Sequence, residues 1–210
     1  MDWNTWEPYV MNVVGLAIAI AMIVAFRNRK RAQETWRSFA LRHGFEHLPP
    51  GPPSLFSERA AVAFRDPGEV QGKFHDLPFL LQVAIEGTGK NRSVLTIMSV
   101  EIQDCPAGLT IYHENVFLKI TKLFGARDVK TGDAEFDKAF VVKGSEPADV
   151  SAWLTQPRRS AILRVIGQKP DIDIRDGCLR FEGRQIVDDI EELEQALATF
   201  EALIPHVRSR

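Results

Sequence analysis

Tyr9 to Phe26 reads YVMNVVGLAIAIAMIVAF, and these eighteen residues decide what kind of chain this is. They hold no charge, and Asn12 is their one strongly polar side chain. A helix of that length rises about 27 Å, close to the roughly 30 Å of a bilayer's hydrocarbon core. A helix at the surface of a soluble domain carries a polar stripe, and this stretch has none. A secretory signal places positive charge before its apolar run and a small-residue cleavage site after it. Here Asp2 and Glu7 come first, and Arg27, Arg29, Lys30 and Arg31 follow. The reading is a retained transmembrane helix. Positive residues stay on the cytoplasmic side, so the N-terminus is expected outside and the C-terminal part in the cytoplasm. Trp3, Trp6 and Tyr9 fall where an outer aromatic belt lies, and Trp36 is expected just above the inner interface. The span carries no histidine and no acidic or basic group, so it is an anchor or a packing surface rather than a catalyst.

Outward from the span, charge divides the chain. Residues 1–44 carry six basic and three acidic groups, all six basic ones after the apolar run, whereas residues 45–210 have a net charge of −5. The total of −2 over 210 residues hides that split, and it excludes the basic excess of a nucleic-acid binder. Two cysteines exclude a disulfide scaffold and a multi-cysteine zinc site. Helical patterning continues from Arg27 to Gly44, with Trp36, Phe39 and Ala40 on one face. Then LPPGPP, Leu48 to Pro53, breaks it and is the best linker in the chain. The organisation expected is an outer segment (1–8), a transmembrane helix (9–26), a juxtamembrane basic helix with Pro-rich linker (27–54) and a cytoplasmic domain (55–210).

Within that domain, Val70–His75 and Phe79–Glu86 read as a hairpin turning at Asp76-Leu77-Pro78, with Ser93–Ile102 as an antiparallel neighbour. Leu109–Tyr112 is expected at a sheet edge, Glu114–Phe124 as an amphipathic helix and Phe140–Lys143 as a short strand. Pro147–Leu154 and Arg158–Ile166 read as consecutive helices beside first-turn prolines. Asp176-Gly177 is the strongest hairpin signal, joining Asp171–Arg175 to Cys178–Glu182. Asp188–Ile204 closes the chain as a helix with Ile190, Leu193, Leu197, Phe200 and Ile204 on one stripe. Strands first and helices later define an α+β fold: one N-terminal transmembrane helix, then a mainly antiparallel sheet with packed helices.

The chemistry-bearing motifs are incomplete. Gly87–Lys90 (GTGK) lacks the earlier glycine and the following Ser or Thr of a phosphate loop, and a strand follows it where a helix is needed. Asp133, Glu135 and Asp137 open a calcium-loop spacing, but Lys138 stands where its glycine belongs. A Thr-Gly-Asp turn capped by Asp133, stacking Phe136 on Phe140, is the simpler reading. His43 and His47 are separated by the helix-ending Gly44, and the doublets His75-Asp76 and His113-Glu114 point to opposite faces of a strand. Cys105 and Cys178 have no nucleophile motif around them. No catalytic residue, metal ligand or cofactor is assigned, and an enzyme is not expected.

Lys119–Pro147, KITKLFGARDVKTGDAEFDKAFVVKGSEP, together with LTQPRRSAIL and IDIRDGCLRFEG, is similar to a family of uncharacterised bacterial membrane-anchored proteins. In that family a Thr-Gly-Asp turn and a Phe-Asp-x-x-Phe-x-Val segment precede a helix and a β-hairpin. The likeness runs from about Phe74 to the C-terminus and implies a bacterial inner-membrane protein with a cytoplasmic α+β domain. It carries no assigned chemistry. The function expected is therefore a single-pass accessory subunit of a membrane assembly, photosynthetic or respiratory being natural hosts. Its partners would be the lipid bilayer and integral membrane subunits, not nucleic acid. The alternative is a membrane-tethered sensor for a lipid or small ligand, which needs a deep apolar pocket between sheet and helices.

Overall fold

The computed structural model describes residues 7–51, 66–87, 92–114 and 127–208. The apolar segment is the first part of a longer helix. Helix α1 runs unbroken from Glu7 to His43, 37 residues and about 55 Å. Its first half is bare: Val13, Leu16, Ile20, Ile23 and Phe26 are all more than half exposed. Its second half is core, with Ala32, Trp36, Phe39 and Ala40 at most 1% exposed. One helix thus has an exposed apolar half and a half whose apolar face, beyond Arg31, is buried against protein.

Among the described residues nine antiparallel strands form one sheet in the order β1-β2-β3-β4-β9-β8-β5-β7-β6. They are β1 (Glu46–Leu48), β2 (Glu69–Phe74), β3 (Leu77–Glu86), β4 (Ser93–Glu101), β5 (Thr110–His113), β6 (Arg127–Asp128), β7 (Phe140–Gly144), β8 (Ile172–Arg175) and β9 (Cys178–Gly183). Four shorter helices complete the described elements: α2 (Ala134–Ala139), α3 (Pro147–Trp153), α4 (Gln156–Ile166) and α5 (Ile190–Val207). The α+β architecture with a mainly antiparallel sheet is the one expected. Helices α1, α4 and α5 contribute Trp36, Phe39, Ile162, Ile166, Phe200 and Leu203 to one core with Leu81, Met98, Ile111, Ile174 and Leu179 of the sheet.

Several boundaries move, each for a local reason. The β2–β3 turn is His75-Asp76, not Asp76-Leu77-Pro78: both residues have positive φ (51° and 65°), and Phe74 pairs with Leu77. Two left-handed residues in a two-residue loop match the twist of the flanking strands. Leu77 is then free to enter the core, and Pro78 lies past the last pair with β4, so its missing N–H breaks no ladder bond. Asp176 (φ 52°) and Gly177 (φ 75°) form the expected turn of the same kind between β8 and β9. Strand β5 is not an edge: it lies between β8 and β7, with all four residues buried. Helix α5 continues past Ile204 to Val207, carrying Pro205 in its last turn.

The expected division at residue 54 does not separate two bodies. Phe45 and β1 precede the Pro-rich stretch, and β1 pairs with β2 from Glu46↔Gln71 to Leu48↔Glu69. The domain therefore begins on α1 near Ala32. The expected helix at Glu114–Phe124 falls on residues 115–126, outside the described residues, as do Trp3, Trp6 and most of the GTGK loop.

Candidate functional site

The part of this protein most unlike an ordinary domain is the junction where α1 leaves its apolar half and enters the core. Trp36 is fully buried, and its indole Nε1–H donates to the Val187 carbonyl at 2.9 Å. One residue earlier, Thr35 Oγ1 donates to the Asp188 carbonyl, also at 2.9 Å. Arg31 reaches the Asp188 carboxylate at 3.3 Å, and Arg42 and His43 both reach Glu194 on α5, at 3.4 and 2.8 Å. Beneath them Phe45 stacks on Phe79 with ring centroids 4.2 Å apart, and Phe39 lies beside both. The exposed ion pairs contribute at most about 1 kcal/mol each. Buried aromatics contribute several times that, so packing fixes the junction and the charges trim its rim.

This placement corrects one expected interface residue. Trp36 does not sit at the membrane surface; it is a core side chain with its polar tip satisfied inside the domain. A tryptophan on an amphipathic helix has the same sequence signature in both settings, because both offer an apolar body and one acceptor. The other basic residues keep to the first turn and a half after Phe26. Lys30 Nζ lies 4.9 Å from the Phe26 ring centroid, Arg31 takes Asp188, and Arg29 is half-buried with its Nε unpartnered. Arg27 lies in the same turn. Tyr9 is in α1, but its side chain, like Trp3 and Trp6, lies outside the described residues.

The acidic turn folds as a cap. Asp133 Oδ1 accepts from the Phe136 N–H at 3.2 Å, and Arg159 approaches its Oδ2 at 3.4 Å. The Phe136 N–H bond, then the Arg159 guanidinium, holds the Asp133 carboxyl below the usual range despite some opposing desolvation. Asp137 accepts from Thr131 N–H and Oγ1–H and from Gly132 N–H. Phe136 and Phe140 meet with centroids 5.0 Å apart. These carboxylates are committed to the turn's own donors. Similarly, His113 Nε2–H donates to the Ile166 carbonyl at 2.7 Å, His47 to Pro67 at 3.0 Å, and His75 pairs with Glu201 at 2.9 Å. His43 and His47 thus face different partners. Cys105 and Cys178 are half-buried; burial first, and the Cys178 thiolate second, pushes Cys105 up to about 11.

One cluster was missed in the sequence. On the sheet face opposite the helices, Asp173 and Arg180 are cross-strand partners; Asp173 pairs with Arg175, and Arg180 reaches Glu182 at 2.9 Å and Glu86 at 3.3 Å. Burial drives Asp173 upward in spite of both guanidiniums, and its Oδ1 has no hydrogen-bond partner among the described residues. The signal was there: charges alternate with apolar residues through IDIRDGCLRFEG, so all of them share one face. Among the described residues, the core side chains given above pack together between the sheet and the helices.

No family model matches this chain, and no curated protein matches it. Its fold resembles the crystal structure of the mycobacterial trehalose monomycolate transport factor A, TtfA, with a TM-score of 0.51. The likeness covers 88% of this chain and 94% of that one at 12% identity, so it speaks for the fold. It takes in the greater part of both chains.

Proposed function

We propose that this protein is a single-pass, membrane-anchored accessory factor whose α+β domain docks on integral membrane partners. The observation that carries the reading is the two-solvent helix. Ten large apolar side chains between Val10 and Phe26 stand exposed. At about half exposure, leaving them in water costs on the order of 10 kcal/mol, as much as the whole stability of an ordinary domain. A bilayer removes that cost, and the span has the length to fit one. The other half of the same helix is built into the domain, so the anchor holds a folded body and not a tail.

The proposed setting is a bacterial inner membrane with the domain on the cytoplasmic face, following the basic turn after Phe26. The resemblance to the family of membrane-anchored proteins belongs to the same proposal. The fold shared with a transport factor favours an assembly that moves molecules across or along the membrane over a photosynthetic or respiratory host. No enzymatic role is proposed: His43, His47, His75 and His113, and the turn carboxylates Asp133 and Asp137, are engaged in structural hydrogen bonds and ion pairs.

Purification in mild detergent with mass analysis of the intact assembly tests the reading. Stoichiometric integral partners are expected, and a clean monomer free of them would sink it. A reporter fused after Arg210 is expected to read cytoplasmic, and a periplasmic signal would reverse the orientation.

A further inference from the structure

A groove of about 530 Å³ opens beside α1 immediately past the apolar half, lined by Lys30, Gln33, Glu34, Arg37, His47 and Pro49. Its helical wall is one face: positions 30, 33, 34 and 37 are spaced by three and four, so their side chains rise in a single row. Its opposite wall is β1 and the chain just after it. That wall is firmly built, because His47 donates to the Pro67 carbonyl at 3.0 Å and Gly68, at φ +106°, packs against Leu48, His47 and Pro50. A side chain at Gly68 would meet the Leu48 carbonyl.

Depth gives the groove its chemistry. Lys30 lies about 6 Å along the helix beyond Phe26, and Arg37 about 16 Å. The polar layer of a bilayer is about 5–8 Å deep on each side. With α1 as the proposed anchor, Lys30 would stand at the level of the lipid phosphates and Arg37 above them. Arg29 and Arg31, on other faces of the same turn, do not line the groove. Neither Lys30 nor Arg37 is in an ion pair among the described residues, although Glu34 lies between them. Two cations without a carboxylate partner among the described residues, Lys30 over the Phe26 ring and Arg37, flank an amide in a walled groove and fit an anion that carries further hydrogen-bonding groups.

We propose that this groove binds the phosphoryl-polyol headgroup of an anionic lipid, with the phosphoryl group at Lys30 and the polyol hydroxyls toward Gln33 and Arg37. Guanidinium and ammonium groups both make charge-assisted bonds to phosphoryl oxygens. The Glu34 carboxylate opposes the anion and sets an upper limit on affinity. The proposal rests on α1 being the anchor and adds a specific lipid to it.

The test uses the full chain in nanodiscs of phosphatidylcholine with 30% phosphatidylglycerol, about a one-in-three admixture chosen to give competing headgroups. Native mass spectrometry after mild release counts the retained lipid. Retention of phosphatidylglycerol over phosphatidylcholine is expected. Lys30→Gln with Arg37→Gln is expected to weaken it about tenfold or more, because two charge-assisted contacts are lost. Arg27→Gln with Arg31→Gln removes equal charge outside the groove and is expected to change it less than about threefold. Glu34→Gln is expected to strengthen retention, which keeps the proposal testable if the double variant folds poorly. Equal loss in both double variants, or no gain from Glu34→Gln, overturns it in favour of general surface attraction. Displacement by free glycerol phosphate at comparable concentration assigns the groove to a soluble polyol phosphate and overturns the lipid. Failure of the chain to enter nanodiscs is a separate result that removes the anchor itself.

Discussion

Replacing Trp36 separates the two places where such a residue could sit. In the structure its side chain is fully buried and its indole N–H is bonded to the Val187 carbonyl, 151 residues away in sequence. Trp36→Ala deletes a ring packed beside Phe39 and Ala40 and leaves a cavity, and buried Trp→Ala changes cost about 3–5 kcal/mol. For a domain of this size each kcal/mol lowers Tm by about 2–4 °C, giving a fall of about 6–20 °C. Trp36→Phe keeps most of the ring but withdraws the donor, so the carbonyl loses its partner at a cost of about 1–3 kcal/mol. Leu41→Ala is the control: its side chain is 72% exposed on the same helix and should shift stability by no more than about 0.5 kcal/mol. The measurement is thermal and urea unfolding of the detergent-solubilised full chain, followed by far-ultraviolet circular dichroism. A side chain at the membrane surface predicts a different order, with Trp36→Ala as mild as Leu41→Ala. That outcome would refute the continuous-helix account.

Three further outcomes follow from local structure. The Asp133 carboxyl is held below its unfolded value, so it contributes stability that is present above about pH 4 and lost as pH falls through the folded value. The stability gap between the wild type and Asp133→Asn should therefore be full at pH 7 and close between pH 5 and pH 2; a gap unchanged by acid contradicts the cap. Gly177 has φ +75° with open space around its Cα, so Gly177→Ala should cost about 1 kcal/mol through backbone strain alone, read as a lower urea midpoint at constant slope. Cys105, pushed from 9.0 up to about 11 chiefly by burial, should react with iodoacetamide at pH 8 at least about tenfold more slowly in the folded chain than in urea, measured in a Cys178→Ser background that removes the smaller contribution of the neighbouring thiolate. Equal rates would place the thiol in water.

What could be seen in the sequence was local, and what could not was long-range. The charge-free run from Tyr9 to Phe26, the Asp176-Gly177 turn and the Asp133 cap each declare themselves within a few residues, since a turn or a cap is settled by the groups that touch it. The apolar face of Trp36, Phe39 and Ala40 was equally visible, but its partner was not: Val187, Phe79 and Phe200 lie far along the chain, and an amphipathic face looks the same against lipid or protein. Strand β1 has only three residues, too few for alternation to register, and its pairing with β2 depends on Val70 and Gln71 more than twenty positions later. Pro78 was read as a turn residue because prolines usually are; it could sit in β3 only because β4 ends at that level. The polar face of β8 and β9 is written in plain alternation, but nothing local shows that Asp173 is buried.

The position of the Pro-rich stretch changes what the anchor does. Had LPPGPP joined an anchor to a separate domain, the body would have swung on a tether and met partners from many directions. Instead Pro49 and Pro50 follow directly on β1, which is already paired with β2, and the connection from the apolar half to β1 is α-helix as far as His43. A helix through this junction, packed by Trp36 and Phe39 and latched to Val187 and Asp188, transmits the tilt of the span directly to the sheet. A domain held this way loses little orientational freedom when it docks, so a modest contact suffices where a tethered one would first have to be ordered. On the proposed function, α1's basic turn, His47 and Pro49 form the rim that meets the bilayer, and partner recognition and lipid contact would both be set by the same helix.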